Sequence, residues 1–78
     1  MIKYTYKLNN RGEKVLKNKL KEIRMKEYMM SQKEFAEMLG INHTTYSKIE
    51  NYKKTVSLEN AYLIAEKLNR KIEDIWYN

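Results

Sequence analysis

The sequence predicts an all-α domain, a compact bundle of about five short helices preceded by one N-terminal β-strand or arm. Three observations carry this reading. Apolar residues recur at spacings of three and four through most of the chain, and only residues 2–8 alternate with a period of two. Residues suited to capping a helix stand before the apolar runs, at Asn10, Ser31, Asn42 and Ser57. The 78 residues contain no proline and only two glycines, so nothing divides the chain beyond an arm over 1–10 and a single domain over 11–78.

Ile2, Tyr4, Tyr6 and Leu8 alternate with Lys3, Thr5 and Lys7, which reads as one strand. No other segment shares that period. The strand is therefore expected to pair with its copy in another subunit, to lie on the helices or to remain an arm, and pairing across a two-fold axis is preferred. Asn10 with Glu13 offers a capping box for a first helix running to about Glu27, with Leu16, Leu20 and Ile23 as its apolar stripe. Met29 and Met30 are expected to fill the core behind the next connection.

Ser31 and Glu34 form a second capping box, and Phe35, Ala36, Met38 and Leu39 follow at helical spacing until Gly40 supplies a left-handed cap. Ile41 plugs the turn and Asn42 caps the next helix. That helix buries Tyr46 and Ile49, with the Tyr46 hydroxyl expected at the rim, and turns His43, Thr44, Ser47 and Lys48 outward. Two short helices joined in this way, with Ala36 small enough for close packing, make a helix-turn-helix. Ser57 caps a fourth helix whose apolar face is Leu58, Ala61, Tyr62, Ile64, Ala65 and Leu68, and which ends at Asn69. Ile72, Ile75, Trp76 and Tyr77 read as a last short helix.

The run Ser31-Gln32-x-x-Phe35-Ala36-x-x-Leu39-Gly40-Ile41, continued by Ser47-x-Ile49-Glu50-Asn51 and Ser57-Leu58-Glu59, resembles the lambda repressor and Cro type of helix-turn-helix domain (XRE family) over residues 16 to 77. The resemblance implies a domain that binds double-stranded operator DNA, usually as a homodimer, with the helix over 42–51 in the major groove. By position in the motif, Asn42, His43, Thr44 and Lys48 match the base-reading sites. Their chemistry suits the task, since asparagine can bond adenine, lysine can donate to guanine, and threonine can meet the thymine methyl. Gln32, Thr45, Lys53 and Lys54 are candidates for phosphate contact.

The same resemblance implies an ion pair between Arg24 and Glu50, although this chain has one residue more than the common spacing between Arg24 and Gln32. Past Glu50, where the family usually has Asn-Gly, it has Asn51-Tyr52, and Asn51 is expected to take the left-handed cap. Ile2, Tyr4, Tyr6 and Trp76 are candidate dimer contacts, with Trp76 first of all a core anchor.

Composition limits the alternatives. The net charge of +6 favours a polyanionic partner, and it is concentrated, since residues 1–33 hold ten Lys and Arg against three Glu while residues 34–78 hold six against seven acidic residues. With no cysteine and a single histidine, neither a disulfide frame nor a thiolate metal site is available, and no cofactor is expected. No catalytic constellation is visible, so an enzyme is not expected. No apolar run spans a membrane and Met1–Tyr4 lacks a signal core, which points to the cytoplasm. The alternative is an antitoxin-like module in which DNA binding is subordinate to a protein partner, and the strand over residues 1–8 is the feature that separates the two.

Overall fold

The computed structural model describes residues 7–8 and 14–77, and among these the core is built by four helices. They are α1 (Leu20–Ile23, running on into a π-helical segment Arg24–Tyr28), α2 (Gln32–Leu39), α3 (His43–Glu50) and α4 (Leu58–Lys67). Four two-residue strands flank them, β1 (Lys7–Leu8), β2 (Lys14–Val15), β3 (Lys17–Asn18) and, after a 3-10 turn at Ile72–Asp74, β4 (Trp76–Tyr77). β1 pairs antiparallel with β2, and β3 with β4 so that Lys17 faces Tyr77 and Asn18 faces Trp76. No helix among the described residues is long and apolar enough to cross a membrane.

The core is one cluster. Leu20, Ile23, Phe35, Ala36, Leu39, Tyr46, Ile49, Ala61, Ile64, Ala65, Leu68, Ile75 and Trp76 are all buried. Phe35 sits at its centre, edge-on to Tyr28 at 5.3 Å and to Tyr46 at 5.6 Å between ring centroids. Ala36 is fully buried, which fits a helix that must approach its neighbour closely.

Helix ends follow local chemistry. Ser31 Oγ accepts from the Glu34 N–H while Glu34 Oε1 accepts from the Ser31 N–H, a complete capping box that holds the Glu34 carboxyl below its ordinary pKa. α2, α3 and α4 end alike, with a left-handed residue and a crossed pair of N–H···O=C bonds, as at Gly40 (φ 74°), Tyr52 (φ 61°) and Asn69 (φ 56°). Lys67 reaches across from α4 to donate to the Leu39 carbonyl at 2.9 Å, placing a cation at the negative end of α2.

Several expectations are corrected. The first helix begins at Leu20, not near Asn10, because residues 14–15 and 17–18 take strand partners and Asn18 Oδ1 accepts from the Leu20 N–H, an interaction that competes with continuous helix. The end of the N-terminal strand finds a mate in its own chain, residues 14–15. Ile2, Tyr4, Tyr6 and Asn10 lie outside the described residues. The last helix is one 3-10 turn followed by β4, whose register with β3 buries Trp76 in the core and leaves its side chain only 5% exposed, so it is not free to meet a partner. Met30 packs against the core, but Met29 is exposed and takes the left-handed conformation that ends the π segment. Leu58 and Tyr62 of the expected α4 face are exposed. The left-handed cap after α3 falls on Tyr52, with Asn51 at φ −92°.

Candidate nucleic-acid interface

α3 is the helix on which the site is built. Asn42 Oδ1 accepts from the N–H groups of Thr44 at 2.9 Å and Thr45 at 3.3 Å, so the helix starts without a loose first turn. Tyr46, Ile49 and Glu50 are buried on one side, and His43, Thr44 and Lys48 are exposed on the other. Between them the Ser47 side is half-buried, and Asn51 Nδ2 donates back to the Ser47 carbonyl at 2.9 Å.

The C-terminal end of α3 is held by an ion pair. Arg24 Nε donates to Glu50 Oε2 and Nη2 to Oε1, both at 3.0 Å, with side chains 11% and 1% exposed. A third guanidinium nitrogen, Nη1, donates to the Met30 carbonyl at 2.8 Å, and Gln32 Nε2 donates to Glu50 Oε1 at 3.0 Å. One arginine thus ties α1, the entry to α2 and the end of α3 together. The added residue before Gln32 does not move Arg24 away from Glu50, and the stretch that follows Arg24 is a π-helical segment, Arg24–Tyr28, closed by left-handed Met29.

Burial works against the Glu50 charge, but the bonds from Arg24 and Gln32 outweigh it and hold the carboxyl below its ordinary pKa, while the bond to Glu50 raises Arg24. The Tyr46 hydroxyl does not reach the rim. It is fully enclosed and finds no hydrogen-bond partner among the described residues, and burial first, then the neighbouring Glu50 carboxylate, pushes the phenol far above its usual pKa.

The structure sorts the candidate DNA-contacting residues. Gln32, His43, Thr44, Lys48 and Lys53 line one shallow open depression, joined by Ser47 and Asn51, and among the described residues no carboxylate lines it. Asn42 and Thr45 lie on the opposite flank of α3, towards Ile41 and α4. Lys54 lies further away, beside Val56, Leu58 and Trp76. The amide nitrogen of Gln32 is engaged with Glu50, so it braces the ion pair and keeps one further hydrogen and its carbonyl for a ligand.

Asn18 escaped the sequence reading. It is 5% exposed, its Nδ2 donates to the Ile49 carbonyl of α3 at 2.8 Å, and its own carbonyl accepts from the Tyr52 hydroxyl at 3.3 Å. Apart from the local bond to Leu20, its partners stand 31 and 34 residues away, so no local pattern could mark its contact with α3.

A short capped helix, braced at its far end and presenting small polar groups and lysines on a surface free of carboxylates, defines a DNA-binding helix-turn-helix domain. Comparison with known proteins agrees, since residues 20–75 match the family model described as "Helix-turn-helix". The control protein C.MunI of Mycoplasma sp is 37% identical over 59 residues, covering 76% of this chain and 80% of the relative. Two uncharacterised HTH-type transcriptional regulators of Archaeoglobus fulgidus are 39% and 36% identical over 61 residues, 78% of this chain and 84% and 86% of theirs. The chain belongs to this helix-turn-helix family, the lambda repressor and Cro (XRE) type of DNA-binding domain.

Proposed function

We propose that this chain is a sequence-specific transcription regulator, acting as a repressor, that lays α3 in the major groove of operator DNA. The observation that carries the reading is that His43, Thr44, Ser47 and Lys48 of α3, with Gln32 of α2 and Asn51 and Lys53 just past α3, border one depression on the side of α3 opposite the one locked into the core. His43, Thr44 and Lys48 read base edges from that surface, with Asn42 contributing whatever its capping role leaves free. Lys53, Gln32, Thr45 and Lys54 meet phosphate. It is a cytoplasmic protein that acts by binding and not by catalysis.

The protein works as a homodimer, since two-fold operators need two recognition helices about 34 Å apart. Support comes from α4, where Leu58 and Tyr62, one turn apart, are 76% and 58% exposed. Selection of bound duplexes from a random pool, with sedimentation of the complex, tests both statements. The expected product is a two-fold symmetric site carrying two protomers. A pool that shows no enrichment would count against sequence reading, and a strictly 1:1 complex on an asymmetric site against the dimer.

A further inference from the structure

We propose that Asn18 is a positioning residue for DNA reading, fixing the angle at which α3 is presented; this rests on the assignment of α3 as the recognition helix. Its side chain is buried and bonded through both its oxygen and its nitrogen. Oδ1 accepts from the Leu20 N–H at the start of α1, and Nδ2 donates to the Ile49 carbonyl in the last turn of α3. Its backbone is fixed as well, by pairing with Trp76 in the β3–β4 ladder and by the Tyr52 hydroxyl on its carbonyl. Asn18 therefore meets three elements at once, namely the start of α1, the C-terminal strand and the end of α3, the first two of which are also joined by the Lys19 N–H on the Ile75 carbonyl.

The Ile49 carbonyl is a sensitive point to hold. It also accepts from the Tyr52 N–H at 3.2 Å, as part of the crossed bonds that close α3. Arg24 grips the neighbouring side chain, Glu50, from the α1–α2 side, so the two contacts hold the end of the helix from different elements. α3 is roughly 12 Å long, so a tilt of about 10° about its held end carries the base-reading end some 2 Å. Hydrogen bonds to base edges fail over a few tenths of an ångström, whereas long lysine side chains follow a phosphate through such a shift. Loss of the Asn18 contact should therefore reduce discrimination before it reduces attraction to DNA.

The test uses the full chain and the duplex recovered from the random pool. Asn18→Asp keeps an acceptor for the Leu20 N–H but replaces the donor to Ile49 with a carboxylate oxygen, and Asn18→Ser shortens the side chain out of reach. The readout is the ratio of affinities for the selected and the scrambled duplex. A merely destabilised fold lowers the active fraction and so weakens both duplexes by the same factor, leaving the ratio unchanged. The expected result is a fall in the ratio of about tenfold, comparable with one good base contact, at an unchanged salt slope on scrambled DNA.

An unchanged ratio in a variant that melts cooperatively overturns the proposal. Should neither variant fold, Tyr52→Phe, which removes only the hydroxyl from the Asn18 carbonyl, should lower the ratio about twofold; no change there overturns it equally. A wild-type chain that enriches no sequence at all defeats the assignment of α3 itself, an outcome seen before any variant is made.

Discussion

Arg24 and Glu50 meet side-on, two guanidinium nitrogens against two carboxylate oxygens at 3.0 Å each, beneath the last turn of α3. The pair is nearly dry, with Glu50 only 1% exposed, so removing one partner strands the other's charge. Arg24→Ala and Glu50→Ala should each cost about 3 kcal/mol, and the double substitution should cost clearly less than the sum. Thermal melts of the three variants give the coupling directly. Additive effects below a kilocalorie would mean that the bidentate contact contributes little to the fold.

The same pair sets a response to acid. Glu50 titrates below its ordinary pKa in the fold, so its contribution is present above the unfolded value of about 4.3 and is lost as pH falls through the lower folded value. Glu50→Gln has no such titration. The stability gap between the wild type and Glu50→Gln should therefore be constant over roughly two pH units around neutrality and should close in acid below about pH 4. A gap that widens in acid would contradict the sign.

Gly40 combines a backbone requirement with a crowded outside. At φ 74° any Cβ is strained, and one built there would stand 3.0 Å from Lys67 Nζ, the group that caps the Leu39 carbonyl. Gly40→Ala should destabilise by about 1–2 kcal/mol. Lys67→Ala should cost less alone, and the double variant should fall short of the sum, because the displaced cap can be lost only once. Melting curves of the set decide it.

These residues also show which parts of the fold a reader could see beforehand. Ser31 with Glu34, Gly40, Asn42 and Ser57 are legible because each cap is satisfied within three or four residues of itself. Strands of two residues have no period to detect, and β3 exists only because residues 76–77 return to pair with it. The same distance hid Asn18 and Lys67. Tyr52 misled for another reason, since propensity favours asparagine at a left-handed position, yet the crossed bonds from Tyr52 to Ile49 and from Lys53 to Lys48 fix where the helix must close. In the interface, exposure of His43, Thr44 and Lys48 followed from period alone, whereas the commitment of Gln32 to Glu50 required the tertiary structure.

Asn42 carries two roles that one substitution can separate. Its Oδ1 is spent on the N–H groups of Thr44 and Thr45, while its Nδ2 can still donate to a base. Asn42→Ser keeps a capping oxygen and removes the amide, so stability should change by less than about 0.5 kcal/mol, and Asn42→Ala should lose roughly 1 kcal/mol. If Asn42 reads a base, both variants should relax preference at one position of the selected site. Equal preference in Asn42→Ser and the wild type would leave capping as its whole role.

Reading and gripping should separate along α3 itself. Thr44 and Lys48 stand four residues apart on the exposed side of the helix and border the same depression, so both can face base edges at once. Lys53 lies beyond the closing turn at Tyr52, exposed at the rim of that depression, where the groove wall rather than its floor would pass. Thr44→Ala or Lys48→Ala should therefore lose roughly 1–3 kcal/mol on the selected duplex and much less on scrambled DNA. Lys53→Ala should weaken both duplexes alike and reduce the slope of log affinity against log salt by about one unit, since one fewer counterion is released. Titrations of each variant on both duplexes at several salt concentrations measure all three quantities together. If Lys53→Ala instead changes sequence preference while Thr44→Ala and Lys48→Ala weaken all DNA equally, α3 does not lie in the groove as assigned, because a helix entering with its N-terminal end foremost cannot bring Lys53 to the bases and leave Thr44 on the backbone.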